Sequence, residues 1–422
     1  MKPETKNLVV EPLFRDILKR WVIAVCGLFI IAPTDIPLFN RFLGTIMILA
    51  FFFTIYFKDS AKLAKNENLR RLTPIPSGTK ILLVIFQLSL TNFAVTFYTG
   101  TNLLSGLLGA ISGQNTYQAY QDFFRESDIA VSGVFSRIQF ILALAIGKLI
   151  FVFIVADFFS NTAKKTILSL SILVSSILIY ASFGFARGTF FEVFEITVAI
   201  GYFFSICRSR KTIKSANVGV NLLKLVSFIG LPYFFIKNTM RRYDDKLDYF
   251  EHLCSSNFCF ETYGINLTLE YFTYIFATYF SNGPYALSVY FYNLLTIKST
   301  EYLIPLWGYI MSDYQEPGVR GLLCERYVDC SFVWMPDILI FLSLFGIFAF
   351  FFSNIFVQWA ITLEQRLMSK RTHAAFVTNY FILIFLLSLP VGSFLTVSSS
   401  NMLGLFISVL MIVLPTNSRT LR

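Results

Sequence analysis

The sequence predicts an all-α polytopic membrane protein with about ten transmembrane helices and one large outward loop. Of its 422 residues, 55% are hydrophobic and only 14% charged, and the mean hydropathy is +0.64, outside the range of ordinary water-soluble domains. The apolar stretches are continuous and lack period-2 alternation, so the spans read as helices and not as barrel strands. The formal charge of +10 is carried by short basic clusters between apolar runs. Such clusters report topology, so nucleic acid is excluded as a partner and the lipid bilayer is expected instead.

A helix needs roughly 20 apolar residues to cross. On that scale the spans lie near 18–36, 42–57, 81–98, 138–157, 166–185, 188–206, 219–237, 337–360, 374–391 and 402–416. The first follows a basic N-terminus (Lys2, Lys6, Arg15, Lys19, Arg20) and lacks an A-x-A-like cleavage site, so it is kept as a span. Basic clusters at 58–80, at Lys164 and Lys165, at 208–214, and at Arg366, Lys370 and Arg371 alternate with loops poor in Lys and Arg. The positive-inside rule then places both termini in the cytoplasm. This layout divides the chain into 1–237 with seven helices, an outward loop at 238–336, and 337–422 with three more helices. The apolar "YFTYIFATYF" at 271–280 is too short to cross and reads as a buried or interfacial helix.

A second outward loop covers 99–137. The larger one holds Cys254, Cys259, Cys324 and Cys330, a concentration that suits an oxidising compartment and two disulfides of open pairing. The C-x4-C and C-x5-C spacings are poor zinc patterns, so no metal is expected.

Charges inside apolar segments are expensive, about 2.5–3.5 kcal/mol each at mid-depth, and therefore point to function. "FGFARGTFFEVFEIT", residues 183–197, places Arg187 at an outward turn, with Glu192 and Glu195 following at i and i+3 on one helix face. Both glutamates should look into the bundle, and Lys148 in the fourth span is a partner for one of them. An arginine beside a helix N-terminus is suited to phosphate. Arg320 and Arg326 are further outward cations, and Tyr279 is an aromatic able to stack on sugar. His252, Asp313, Glu316 and Asp337 are alternative proton acceptors. Metalloprotease, Walker and serine-hydrolase motifs are absent from the sequence.

Three segments, "FARGTFFEVFEI", "ATYFSNGPYALSVYF" and "DCSFVWMPDILIFLSLFGIFAFFFSNIF", resemble motifs of the bacterial O-antigen and capsule repeat-unit polymerases of the Wzy type. The resemblance implies a metal-independent, GT-C-like glycosyltransferase of the bacterial inner membrane that needs no cofactor. It would act at the periplasmic face, transferring a glycan from one undecaprenyl pyrophosphate to the sugar of another lipid-linked repeat unit, and a chain-length regulator would be a further partner. Arg187 matches the arginine that holds the donor pyrophosphate. The chain departs from the pattern in having fewer spans and in lacking an arginine just before Asp337, which leaves Arg320 and Arg326 as the substitute phosphate contacts. The related O-antigen ligase, and a lipid-linked oligosaccharide flippase or transporter, are the alternative readings.

Overall fold

The computed structural model describes residues 13–57, 74–112, 114–126, 134–160, 166–189, 191–209, 254–255, 258–297, 337–370, 372–392 and 398–413. It is predominantly α-helical, and among the described residues four helices, Ser77–Thr99, Phe135–Phe159, Ile167–Arg187 and Gly346–Met368, are long and apolar enough to cross a membrane. A helix occupies each span expected from the sequence except that at 219–237, which lies outside the described residues. The chain forms two compact units interleaved in sequence, one from 1–63, 246–365 and 385–398, the other from 64–245, 366–384 and 399–422.

The first unit begins with α1 (Leu13–Ile31) and α2 (Leu38–Phe51). Phe14, Leu18, Val22, Val25 and Phe29 recur at helical spacing and form the buried face of α1. At its start, the Phe14 N–H donates to Glu364 Oε2 (3.0 Å), satisfying one donor that no helical carbonyl can reach. Pro33 and Pro37 prevent the helix from continuing into α2. Arg41 consolidates the turn between them. Its Nε donates to Ile36 O (3.0 Å), Nη1 to Ile30 O (2.6 Å) and Ala32 O (2.7 Å), and Nη2 to Thr34 O (2.6 Å) and Thr34 Oγ1 (3.0 Å).

That turn also pairs with a short hairpin, β1 (Cys254–Ser255) and β2 (Phe258–Cys259). The Asp35 N–H donates to Cys259 O (3.1 Å), the Cys259 N–H donates to Asp35 Oδ1 (2.8 Å), and Thr34 bridges Phe260. Cys259 is disulfide-bonded, and Cys254 faces it directly across the ladder. Cys324 and Cys330 lie outside the described residues.

Next come α9 (Leu267–Phe280), which contains the short apolar stretch noted in the sequence, and α10 (Asn282–Ile297). Asn266 caps α9, accepting the Leu269 N–H (3.0 Å). Glu270 gathers the preceding loop, accepting from Thr262 Oγ1 (2.6 Å) and from the N–H groups of Tyr263 (2.7 Å), Ile265 (2.7 Å) and Asn266 (3.4 Å). Burial alone would raise its pKa, but these bonds outweigh burial and hold the carboxyl at about 2.

The segment expected as one span at 337–360 is interrupted: α11 (Asp337–Phe345) gives way to a 3-10 turn at Gly346–Phe348 and then to α12 (Ala349–Lys370). Gly346 has φ +53, a conformation that glycine adopts without steric cost and that ends α11. α12 and α13 (His373–Ser388) each contribute residues to both units.

The second unit contains α3 (Ser77–Thr99), α4 (Leu103–Ser112), α5 (Thr116–Glu126), α6 (Val134–Ser160), α7 (Ile167–Arg187), α8 (Phe191–Ser209) and α14 (Ser399–Val413). The loop at 99–137 thus holds two short helices. Asn102 and Asn115 begin them by accepting the N–H groups of Ser105 (2.8 Å) and Gln118 (3.1 Å). α3 and α7 are joined through Gln87 and Ser176, which exchange bonds of 3.1 and 2.7 Å. Lys80, His373 and the Ile75 N–H converge on buried Asp157 (2.7, 3.2 and 3.0 Å). Ala94, Val95, Leu103, Phe140, Phe183 and Ala186 form an apolar cluster beside the last turn of α7.

Candidate functional site at the α7–α8 turn

The last turn of α7 is built by its sequence. Gly188 adopts φ +64, its N–H donates to Phe185 O (3.1 Å), and the Thr189 N–H donates to Gly184 O (2.8 Å). This pattern closes the helix and leaves Arg187 as its final residue. The chain then enters α8 within a few residues. Arg187 and Glu192 therefore face one another across a short connection, and Nη2 of Arg187 donates to Glu192 Oε1. The guanidinium carbon lies 3.9 Å from the Phe183 ring centroid and 5.1 Å from that of Tyr98. Tyr98 in turn stacks on Tyr120 of α5 at 5.1 Å, so the loop helices contribute one wall. Burial and neighbouring Tyr98 hold the Tyr120 phenol above its ordinary range, against the opposing influence of Arg187, and keep it neutral.

The Arg187 side chain is 14% exposed, and that of Glu192 is 7% exposed. Even so, the guanidinium spends little of its capacity. Among the described residues only Nη2 forms a hydrogen bond, and Nε is buried without a partner. Glu192 Oε2 has one long bond, from Thr189 Oγ1 at 3.4 Å.

One turn further along α8, Glu195 is fully buried and saturated. Its Oε1 accepts from Lys148 Nζ (2.7 Å) and Asn401 Nδ2 (2.8 Å), and its Oε2 accepts from the Tyr180 hydroxyl. Lys148 also donates to Asn401 Oδ1, and the Tyr380 hydroxyl donates to the Glu195 carbonyl (3.3 Å). Five helices, α6, α7, α8, α13 and α14, supply these groups. The pairing of Lys148 with a glutamate agrees with the sequence expectation; Asn401, Tyr180, Tyr380 and Tyr98 were not anticipated. The tyrosines are amphipathic groups within or at the end of apolar runs and Asn401 ends a polar serine stretch, signals too common to single them out.

Two of the other candidate residues belong to the first unit. Tyr279, on α9 in the first unit, is 42% exposed. Asp337 is the first residue of α11 in the same unit; it is fully buried, and its N–H donates to Gly392 O (2.9 Å). His252, Arg320 and Arg326 lie outside the described residues. Among the described residues no group of three or more His, Cys, Asp or Glu could hold a metal ion.

The chain matches no family model, no curated protein and no solved structure.

Proposed function

We propose that the chain polymerises undecaprenyl-pyrophosphate-linked repeat units into O-antigen or capsular polysaccharide at the outward face of the bacterial inner membrane. The proposal includes a GT-C-like arrangement of about ten spans with both termini cytoplasmic. The observation that carries it is Arg187, a mostly buried guanidinium beside apolar helices with donors unspent and an unpartnered Nε. A planar fork with free N–H groups suits the oxygens of a diphosphate, and a site largely shielded from water strengthens that attraction.

In the transfer, the acceptor hydroxyl attacks the anomeric carbon of the donor. The bond from that carbon to the diphosphate oxygen breaks, and the electron pair leaves with the lipid diphosphate. Arg187 neutralises the charge that develops there, an effect worth several kcal/mol when donors are preorganised. The acceptor proton passes to a base, for which His252 and Asp337 are the candidates. Glu192 suits that task poorly, because it sits on the leaving-group side with Arg187. The fully buried Lys148–Glu195 pair favours the transporter reading, since intramembrane ion pairs commonly mark transport paths. Its saturation by three donors argues for a fixed anchor instead.

The test is genetic and biochemical together. Deletion of the protein should collapse surface polysaccharide to a single repeat, whereas a ligase deletion would leave none attached. Arg187→Gln should reproduce that collapse at normal protein level. Full-length polymer in the mutant would remove Arg187 from the reaction.

A further inference from the structure

Arg187 and Glu192 are paired, yet neither is fully engaged. Among the described residues the guanidinium gives one N–H to Glu192 and keeps a buried Nε–H without a partner, while Glu192 otherwise accepts only the 3.4 Å bond from Thr189 Oγ1. Glu195, three residues along the same helix, accepts side-chain bonds from Lys148, Asn401 and Tyr180. A carboxylate held by one strong partner can exchange that partner for another; one clamped from three helices cannot. Gly184 provides the seat for the looser one. A Cβ at that position would lie 2.6 Å from Glu192 Oε2 and 2.8 Å from Thr189 O, so the carboxylate rests against bare backbone.

We propose that Glu192 is the exchangeable counter-ion of the diphosphate site. It neutralises Arg187 while the site is empty, releases it to the incoming lipid diphosphate, and competes for it again to expel the lipid diphosphate product. This inference rests on the assignment of Arg187 to a diphosphate. An arginine removed from water without a counter-charge is costly, so the empty site requires an anion of its own. A diphosphate carries more charge and more acceptor oxygens than one carboxylate, and it can use the donors that Glu192 leaves idle. Once transfer is complete, the leaving diphosphate is more strongly charged than the donor was. Without a competing carboxylate it would stay on Arg187 and block the next cycle. The observed affinity is therefore the diphosphate's attraction less the energy of breaking the Arg187–Glu192 pair.

The test uses the full chain in lipid nanodiscs, titrated with a polyprenyl diphosphate and, separately, with inorganic pyrophosphate. Glu192→Gln keeps the shape and removes the competitor. It should bind the polyprenyl diphosphate about tenfold more tightly, equivalent to about 1.4 kcal/mol, with slower dissociation. In elongation assays kcat should fall while KM stays level or drops. Glu192→Ala removes the competing carboxylate outright, should shift affinity the same way, and carries the test if Glu192→Gln does not fold. Equal or weaker binding in the folded variants overturns the exchange role while leaving the diphosphate site intact. A wild-type protein that binds neither probe overturns both the exchange and the diphosphate assignment.

Discussion

Arg41 and Arg187 are both withdrawn from water, and the chain spends them in opposite ways. Arg41, in the first unit, directs all five N–H groups to four backbone carbonyls and one hydroxyl of the turn it closes. No carboxylate touches it through these bonds; the carbonyl dipoles of a helix end serve as its counter-charge. Arg187, in the second unit, gives one N–H to a glutamate, rests on two aromatic rings and leaves Nε unspent. Burial therefore does not distinguish an arginine that holds a fold together from one that can meet a ligand. The number of donors already committed does.

The largest expected effect tests the committed side of this contrast. Arg41→Gln strips several charge-assisted bonds and leaves buried carbonyls bare, and should cost more than about 3 kcal/mol. Thermal unfolding in detergent should fall sharply and cellular protein level with it. Arg187→Gln should move the unfolding temperature by only a few degrees while elongation is lost. Equal destabilisation by the two substitutions would erase the distinction.

Lys148→Met should rank next, because it strands a buried carboxylate, at a cost of about 3–5 kcal/mol. Adding Glu195→Gln should restore much of that loss. A double-mutant cycle on unfolding free energies measures the coupling, and strict additivity would mean that the pair is not an anchor. Phe183→Leu, which removes the ring 3.9 Å from the guanidinium, should cost about 0.5–2 kcal/mol and weaken diphosphate binding in parallel.

The acid response of Glu270 tests a carboxylate committed to its own loop. Its folded pKa of about 2 lies below the ordinary 4.5, so the stability it contributes is present above pH 4.5 and is lost as pH falls toward 2. Unfolding temperature should decline over that window in the wild type. Glu270→Gln should lower the plateau at neutral pH and flatten the decline; an unchanged profile would rule out this contribution.

The helices were legible because continuous apolar runs leave a chain in lipid few other choices. That Lys148 would meet one of the two glutamates was legible for a related reason, since a charge in such a run needs a counter-charge; that it is Glu195 was not. The rest of that cluster was not, because Asn401 joins Glu195 from 206 positions away and nothing local to it marks the meeting. Arg41 shows the complementary limit. A single arginine in an apolar hairpin looks the same in sequence whether its partners are carbonyls, lipid headgroups or a ligand. Gly346 was visible, but glycine is tolerated inside helices often enough that its break of the 337–360 span was not. The short helices α4 and α5 carried their signals in Asn102 and Asn115, small caps easily lost within a polar connection.

The carboxylate of Glu364 on the first turn of α1 bears on how the protein is made. The two partners are 350 positions apart, and the turn after α1 meets Cys259 across 224. The bond from Glu364 to the start of α1 therefore cannot form until the chain has been translated as far as that residue, 350 positions on. Arg41 needs no such wait, because its farthest acceptor is 11 positions away. Arg41 thus closes its turn with partners that are all local, whereas the contacts of Glu364 and Cys259 with this hairpin come from far along the chain.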